Sequence, residues 1–327
     1  MKIAILDDYQ NVVKDLACYS LLQGHTPTVY CSAPASQAEL VQRLRDQDAL
    51  VLIRERTTID AALLAQLPNL KLISQTGKLS NHLDLQACTA HGVAVAEGVG
   101  SPVAPAELCW SLIMAASRHI VPYVQNCKQG RWQDSGSLGL GRTLQGLTLG
   151  IWGYGKIGQR IARYGQAFGM NVLIWGREPS RQRALADGFS IAASKAEFFA
   201  TADILSLQLR LNDQTRGCVT LADLAQMKPD ALLVNTSRAA LISDGALYRA
   251  LQSGRPGAAA LDVYDQEPAR PDQEPLLTLP NVLCSPHLGY VEQGSYELYF
   301  QAAFANLVSF AAGNPQNIAN PEVLGNR

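Results

Sequence analysis

The sequence has little of what a membrane, secreted or nucleic-acid-binding protein needs. No apolar run approaches the roughly 18 residues of a membrane-spanning helix, and Asp7 and Asp8 end the first apolar stretch before a signal peptide could form. Lys and Arg number 27 and Asp and Glu 28, for a net charge of -1, which gives no general attraction to nucleic acid or to anionic lipid. We therefore expect a cytoplasmic protein that binds neither.

Paired cysteines are also lacking. The seven cysteines are an odd number and contain no C-x-x-C pair, which argues against a disulfide framework and against a zinc site. The histidines show no metal-ligand spacing either. We predict no metal, and we expect most cysteines to be small apolar core residues in a reducing compartment.

What is present is a repeated alternation of short apolar runs with helical patterns. The 327 residues are enough for two domains, and strands alternating with helices predict α/β domains with parallel sheets. A first domain ends near Gly100, and a final amphipathic helix is expected at 295–311. Strands are predicted at 2–6, 49–53, 70–74, 147–152, 171–175, 204–208, 231–235, 258–263 and 281–285.

A glycine-rich motif, G-Y-G-K-I-G at 153–158, follows the apolar run L-T-L-G-I-W and precedes a helical stretch at 159–168. This context is typical of a dinucleotide-binding loop. Its glycines permit a tight turn, close approach of the backbone to a pyrophosphate and close helix packing, while the helix N-terminus attracts phosphate. The alternative is a glycine-rich turn without a ligand. The predicted cofactor-binding residues are Gly153, Tyr154, Gly155, Lys156, Ile157 and Gly158.

The next strand ends in W-G-R-E, with Gly176 near the position where a carboxylate would bind the ribose hydroxyls of NAD. The missing acid and the adjacent guanidinium of Arg177 suit a 2′-phosphate. We therefore favour NADP(H). The alternative is NAD(H), with Arg177 as a solvated arginine stacked on the adenine.

Several later strands run into charged residues at their carboxyl ends, where open α/β sheets bind ligands. Arg238 follows one strand, Asp262 the next and His287 the last, with Glu267 in a loop after Asp262. A cation, a carboxylate and an imidazole are the minimum needed to polarise a keto acid and to move a proton.

These charged residues lie within a series of motifs by which the sequence resembles the D-isomer-specific 2-hydroxyacid dehydrogenases. That family includes glyoxylate/hydroxypyruvate reductases and phosphoglycerate dehydrogenases. The shared stretches, in the family's order, are T-G-K-L-S-N-H-L-D at 76–84, G-Y-G-K-I-G, N-T-S-R at 235–238, A-L-D-V-Y at 260–264 with E-P at 267–268, and P-H-L-G at 286–289. The resemblance implies two Rossmann-like domains: a flavodoxin-like substrate domain (1–100 and 290–327) and an inserted doubly wound dinucleotide-binding domain (101–289).

The resemblance also implies roles in hydride transfer between a nicotinamide dinucleotide and a small D-2-hydroxy acid or its 2-keto partner. Arg238 would bind the substrate carboxylate and polarise the keto oxygen, and His287 would act as general acid and base. Glu267 would orient the imidazole, and the backbone around Lys78 and Leu79 would hold the carboxylate.

Further cofactor contacts are implied near the ends of the strands of the dinucleotide domain. Asp262 would contact the nicotinamide amide, and Thr236 and Ser237 would lie beside the cofactor. Gln208 stands where family members usually carry histidine, so its contacts with the cofactor depart from the family's pattern.

Three further expectations accompany this assignment. The long apolar stretch 104–119 suggests a homodimer, although it could instead be an internal helix. Lys78 is similar to the lysine of phosphite dehydrogenases, so a phosphite-type dehydrogenase is an alternative activity. A dinucleotide-sensing scaffold similar to the transcriptional corepressors of this family is a second alternative.

Overall fold

The computed structural model describes residues 1–80 and 82–326, so Asn81 of the predicted 76–84 motif lies outside the described residues. The chain forms two compact units, one of Met1–Ser101 with the chain from Glu292 onward, and one of Pro102–Val291. These boundaries lie within two residues of the predicted ones. Within the described part of the chain, no helix is long and apolar enough to cross a membrane.

The first unit contains a five-stranded parallel sheet in the order β2-β1-β3-β4-β5. This is the flavodoxin-like order, so the predicted fold of this unit is confirmed. Strands covered on both faces are continuously apolar, and β3 and β4 are buried at every position. The strands are β1 (Lys2–Ile5), β2 (Thr26–Val29), β3 (Ala49–Leu52), β4 (Leu72–Gln75) and β5 (Ala94–Ala96).

Helices cover this sheet. They are α1 (Gln37–Leu44), α2 (Ala61–Leu64), α3 (Leu85–Ala90) and, from the far end of the chain, α11 (Gln293–Ala311). Side-chain caps at Ser36, Asp60 and Asp84 begin the first three. The hydroxyl of Ser74 in β4 donates to the carbonyl of Ala303 at 2.9 Å, so α11 packs on the sheet of the first unit.

The second unit contains a seven-stranded sheet in the order β12-β11-β10-β9-β6-β7-β8. All its strands are parallel, and the chain reverses its direction of travel across the sheet between β6 and β9, as in a doubly wound dinucleotide-binding fold. The strands are β6 (Thr148–Trp152), β7 (Asn171–Trp175), β8 (Ser190–Ile191), β9 (Ile204–Leu207), β10 (Leu232–Asn235), β11 (Ala258–Leu261) and β12 (Val282–Cys284).

The long apolar stretch predicted at 104–119 is helix α4 (Val103–Ser117), and one of its faces is internal whereas Val103, Glu107 and Ser111 are exposed. Its residues Ala106, Cys109 and Ile113 are completely buried in the core of the second unit, together with residues of β6, β9, β10 and β11. The other helices are α5 (Ile120–Lys128), α6 (Lys156–Ala167), α7 (Glu178–Ala186), α8 (Lys195–Thr201), α9 (Leu221–Leu224) and α10 (Ala246–Gln252).

The prediction that most cysteines are core residues is only partly right. Cys18, Cys88 and Cys109 are buried, but Cys31 and Cys127 are exposed, and the other two are intermediate. All seven are free thiols. Burial raises the pKa of Cys18 and of Cys88 to about 12, which makes these two thiols unreactive at neutral pH.

Candidate active site

The predicted site residues of the second unit follow one registered row of strand ends. Asn235, Leu261 and Cys284 are paired across β10, β11 and β12, and the row continues through Leu207, Trp152 and Trp175 of β9, β6 and β7. Since parallel strands lie about 4.8 Å apart, the segments that follow these residues leave the sheet side by side. The glycine loop, Gly176, Gln208, Thr236, Asp262 and the segment of His287 therefore lie along one edge of this sheet.

The glycine loop has the shape that a pyrophosphate requires. Gly153 has a φ of 106°, and a Cβ there would collide with the carbonyl oxygen of Gln208. A Cβ on Gly158 would collide with the carbonyl oxygen of Gly153, whereas the space at Gly155 is open. Because α6 begins at Lys156, its N-terminal N–H groups border this open space, and the arrangement fits the phosphates of a dinucleotide.

The three residues between these glycines differ in how they could contribute. The side chain of Tyr154 is buried, packs against Phe189 and donates a hydrogen bond to Asp187 at 2.8 Å. Only the backbone of Tyr154 is therefore left for a cofactor. Lys156 is exposed and Ile157 packs against the core, so the loop would act on phosphate chiefly through its backbone.

An exposed guanidinium lies at the end of β7, and the carboxylate beside it is engaged on its own helix. Arg177 occupies the N-cap position of α7 without a side-chain capping hydrogen bond, and it is exposed. The nearest carboxylate, that of Glu178, pairs with Arg181 at 3.1 Å and accepts a hydrogen bond from Gln182 at 2.5 Å. Arg181 lies over the ring of Trp175. The acidic side chain next to Gly176 is therefore already engaged on its own helix.

The side-chain amide of Gln208 contacts three polar groups of the second unit. Its amide nitrogen lies 2.9 Å from the hydroxyl of Ser206 and 3.4 Å from that of Thr236, and 3.5 Å from the sulfur of Cys109. Cys109 belongs to α4 and is completely buried. Gln208 thus connects two of the predicted cofactor residues to the core of the unit, with a neutral amide where the family usually has a titratable imidazole.

The turn that carries Arg238 is built by Asn235, which sequence reasoning had not singled out. Asn235 is 1% exposed, accepts a hydrogen bond from the amide of Ser237 at 3.1 Å and donates one to the carbonyl of Arg238 at 2.9 Å. The hydroxyl of Ser237 donates to the carbonyl of Leu207 at 2.9 Å. These bonds fix the backbone from which the partly buried Arg238 side chain extends.

His287 and Glu267 form the imidazole–carboxylate pair that the resemblance implies. The Nδ1 atom of His287 lies 2.6 Å from Oε2 of Glu267, and the amide of Tyr264 donates to the other carboxylate oxygen at 3.1 Å. The hydroxyl of Tyr264 donates to the carbonyl of Ser285 at 2.9 Å. Tyr264 is another residue that sequence reasoning had not singled out. It binds Glu267 directly and fixes the His287 segment through Ser285.

His287 itself has a backbone φ of 52°, in the left-handed region that non-glycine residues rarely adopt. Such a conformation persists only where the surroundings impose it, and it is concentrated at functional sites. Here the ring of Tyr290 packs edge-on against the imidazole, with 5.5 Å between the ring centroids.

Asp262 is the main constraint on the His287 segment. The residue is fully buried, one carboxylate oxygen accepts from the Ser285 hydroxyl at 2.6 Å and the Leu288 amide at 2.7 Å, and the other accepts from the Gly289 amide at 2.9 Å. Burial raises the pKa of Asp262, and these donors oppose that rise. The predicted role of Asp262 was contact with the nicotinamide; the structure gives its carboxylate to the loop that carries His287.

The two predicted substrate-binding residues lie in the first unit, on the loop after β4. The ammonium group of Lys78 pairs with Glu97 at 2.9 Å, and the amide of Leu79 donates to the other oxygen of the same carboxylate at 3.0 Å. Glu97 follows β5, and no sequence signal had drawn attention to it.

Comparisons with known proteins identify the family of this chain. Residues 110–289 match the family described as D-isomer specific 2-hydroxyacid dehydrogenase, NAD binding domain. A glyoxylate reductase from Aeropyrum pernix is 36% identical over 299 residues, which are 89% of this chain and 88% of that protein. A D-3-phosphoglycerate dehydrogenase from Methanocaldococcus jannaschii is 35% identical over 257 residues, or 78% of this chain and 48% of that protein.

Among solved structures, that of a phosphoglycerate oxidoreductase from Vibrio cholerae O395 is 64% identical, with a TM-score of 0.94, and the match covers 96% of this chain and 99% of that chain. The chain thus belongs to the D-isomer specific 2-hydroxyacid dehydrogenase family. It is an oxidoreductase with a nicotinamide dinucleotide-binding domain, and the predicted family, enzyme class and fold are confirmed.

The substitution Asp262→Asn tests the anchoring role of this carboxylate. The amide would place an N–H group against the N–H of Leu288 or of Gly289, and a buried donor without an acceptor costs about 1–3 kcal/mol. We expect the free energy of unfolding to fall by about 2 kcal/mol and kcat to fall at least about 10-fold, measured by urea denaturation and by initial rates.

The exposed Asp213, in the same unit, gives a matched control as Asp213→Asn, which should change neither quantity. If Asp262→Asn raised only the KM for the cofactor and left stability unchanged, the carboxylate would act directly on the cofactor and the anchoring role would be wrong.

Proposed function

We propose that the enzyme interconverts a small 2-keto acid and the corresponding D-2-hydroxy acid, with His287 as general acid and base. The observation that carries this proposal is the 2.6 Å contact between His287 and Glu267, on the same sheet edge as Arg238. A carboxylate on Nδ1 fixes the tautomer and orientation of the ring and leaves Nε2 for the substrate. Glyoxylate is the first substrate to test, since the Aeropyrum pernix relative is a glyoxylate reductase.

Each residue then has a defined role. The guanidinium of Arg238 binds the substrate carboxylate and polarises the 2-keto oxygen. During reduction, Nε2 of the protonated His287 donates its proton to that oxygen, and Glu267, bonded to Nδ1, stabilises the imidazolium before the transfer. The bound nicotinamide supplies the hydride, or accepts it in the reverse direction. During oxidation, Nε2 takes the hydroxyl proton.

For the cofactor, we propose NADP(H) rather than NAD(H). The exposed guanidinium of Arg177 stands beside Gly176, where an acid would be needed for the ribose of NAD. Glu178, the nearest acid, is paired with Arg181. A planar guanidinium is well suited to a 2′-phosphate. The backbone around Gly153, Gly155 and Gly158 would hold the pyrophosphate.

For the substrate, we propose that the backbone of Lys78 and Leu79 holds the carboxylate. The phosphite alternative gains no separate support, because Lys78 and Leu79 already bind a carboxylate, that of Glu97, and no observation favours phosphite over a carboxylate. The alternative of a dinucleotide-sensing scaffold gains no support either, because sensing does not require an imidazole held by a carboxylate.

We also propose a homodimer, now on a different surface. Helix α4 has a buried face, whereas α5 has no buried residue, and Ile120, Val121 and Val124 are 48%, 38% and 46% exposed. The segment after α5 carries Trp132 and Leu140, which are 79% and 92% exposed. A groove of about 580 Å³ lies between α5, residues 135–138 and strand β12. Protruding apolar side chains and a groove in one region suit the self-complementary interface of a two-fold dimer.

The substitution His287→Asn should lower kcat for the reduction of glyoxylate by about 10²- to 10⁴-fold, the usual contribution of a general acid. Initial rates of glyoxylate reduction with saturating NADPH measure this loss. Glu267→Gln, which keeps a hydrogen-bond acceptor, should lose less. Wild-type turnover by His287→Asn would place the general acid elsewhere.

The substitution Arg177→Ala should raise the KM for NADPH about 10- to 100-fold, as expected for the loss of a charge-assisted hydrogen bond to phosphate, and change the KM for NADH less than about twofold. Arg249→Ala, an exposed arginine on α10, is the matched control. Equal effects of Arg177→Ala on the two cofactors would contradict a role in 2′-phosphate recognition.

The substitution Val124→Asp should convert the dimer to a monomer, because a charge would enter an apolar interface. Leu185→Asp on α7 is the control, since Leu185 is also 46% exposed. Sedimentation equilibrium gives the mass of each variant. A wild type that sediments as a monomer, or a Val124→Asp variant that remains dimeric, would be evidence against this interface.

A further inference from the structure

The loop after β4, to which we assign the substrate carboxylate, already holds a carboxylate of this chain. One oxygen of Glu97 accepts from Lys78 Nζ at 2.9 Å and the other from the Leu79 amide at 3.0 Å. Two adjacent donors thus share the two oxygens of one carboxylate, as they would for the carboxylate of a 2-keto acid.

Glu97 is held beside this loop by its backbone. Its amide donates to the carbonyl of Asn317 at 2.9 Å, and its carbonyl accepts from the side chain of Asn306 at 3.1 Å. The next residue, Gly98, donates to the carbonyl of Gly77 at 2.9 Å, and a Cβ on Gly98 would collide with the carbonyl of Gln75. The two loops are therefore joined whether or not the Glu97 side chain is bound, and that side chain can leave without dismantling them.

The contact is open to exchange. The side chains of Lys78 and Glu97 are 67% and 29% exposed, and an ion pair that water reaches contributes only about 0–1 kcal/mol. A tethered partner nevertheless competes as if it were present at roughly millimolar concentration. A substrate carboxylate must therefore outcompete an internal one of the same chemistry.

We infer that Glu97 is an internal competitor for the substrate carboxylate at Lys78 and Leu79, and that it raises the KM of the enzyme for its 2-keto acid. This inference rests on the proposed function. Its consequence is that displacing Glu97 offsets part of the free energy gained when a substrate carboxylate binds to Lys78 and Leu79.

The test is Glu97→Gln, which keeps the shape of the side chain and an oxygen for the Leu79 amide but removes the charge that attracts Lys78. With saturating NADPH, we expect the KM for glyoxylate to fall about 5-fold, the size of a partly exposed ion pair. The inhibition constant of oxamate, an unreactive analogue of a 2-keto acid, should fall by the same factor, and kcat should change less than KM.

Asp48→Asn is a closely matched control. Asp48, in the same unit, accepts from Lys71 Nζ at 3.2 Å and from the backbone amide of Lys2 at 2.8 Å, and the side chains of Lys71 and Asp48 are 57% and 27% exposed. Removing its charge should leave the KM for glyoxylate and the inhibition by oxamate unchanged.

A double substitution separates competition from a structural effect. Lys78→Met removes the ammonium that holds Glu97 beside the Leu79 amide, so in that background Glu97→Gln should lower the KM by clearly less than in the wild type. If Glu97 only supported the loop, Glu97→Gln would raise the KM in both backgrounds, and the inference would be overturned. An unchanged KM in the single variant would overturn it equally.

The failure of the proposed function looks different in the same experiment. A wild-type enzyme that does not reduce 2-keto acids with either cofactor would contradict the proposed function. A wild-type enzyme that turns over normally, with a KM that does not fall in Glu97→Gln, would contradict only the role of Glu97.

Discussion

The arrangement of the reactive residues depends on one buried carboxylate. Asp262 is completely buried, and a buried charge is tolerated only where hydrogen-bond donors surround it. The donors come from Ser285, Leu288 and Gly289, so satisfying the carboxylate folds the loop around His287. The hydrogen bonds that make the buried charge of Asp262 tolerable also hold the backbone of His287 in its left-handed conformation. This arrangement places the imidazole beside Glu267.

The parallel sheet contributes the second constraint. Because the strands of the second unit are in register, six of them end in one row, and the chain can place a glycine loop, a guanidinium turn and an imidazole loop along one edge. Each segment is then fixed by its own local bonds, such as those of Asn235 in the turn before Arg238. Registration brings the segments together, and local hydrogen bonds orient the side chains.

Apolar periodicity and motif spacing predicted the strands of the second unit well, because buried parallel strands are continuous apolar runs between turn residues. Strand β7 matches its prediction at both ends. Strand β2 went unpredicted, since this edge strand contains Pro27 and is half exposed. Helix α5 also went unpredicted, because without buried residues it shows no apolar face directed at the core of its unit.

For the candidate site, the sequence identified the residues that carry charge but not those that hold them in place. Arg238, Glu267 and His287 stand out because charged residues at the ends of strands have few structural reasons to be there. Asn235 and Tyr264 lie within the same motifs, but their roles depend on hydrogen bonds that no spacing rule specifies. Glu97 contacts a loop about twenty residues earlier in the sequence, and the pairing of β4 with β5 is what brings the two segments close.

The return of α11 to the first unit has a consequence for biosynthesis. The helix covers β4 and buries Tyr299, Phe300 and Phe304, yet it follows the whole second unit in the sequence and leaves the ribosome after it. The N-terminal sheet therefore emerges with one apolar face uncovered, while the entire second unit, which is continuous in sequence, can fold as soon as it is synthesised. The nascent N-terminal segment must therefore remain unaggregated while the whole second unit is synthesised.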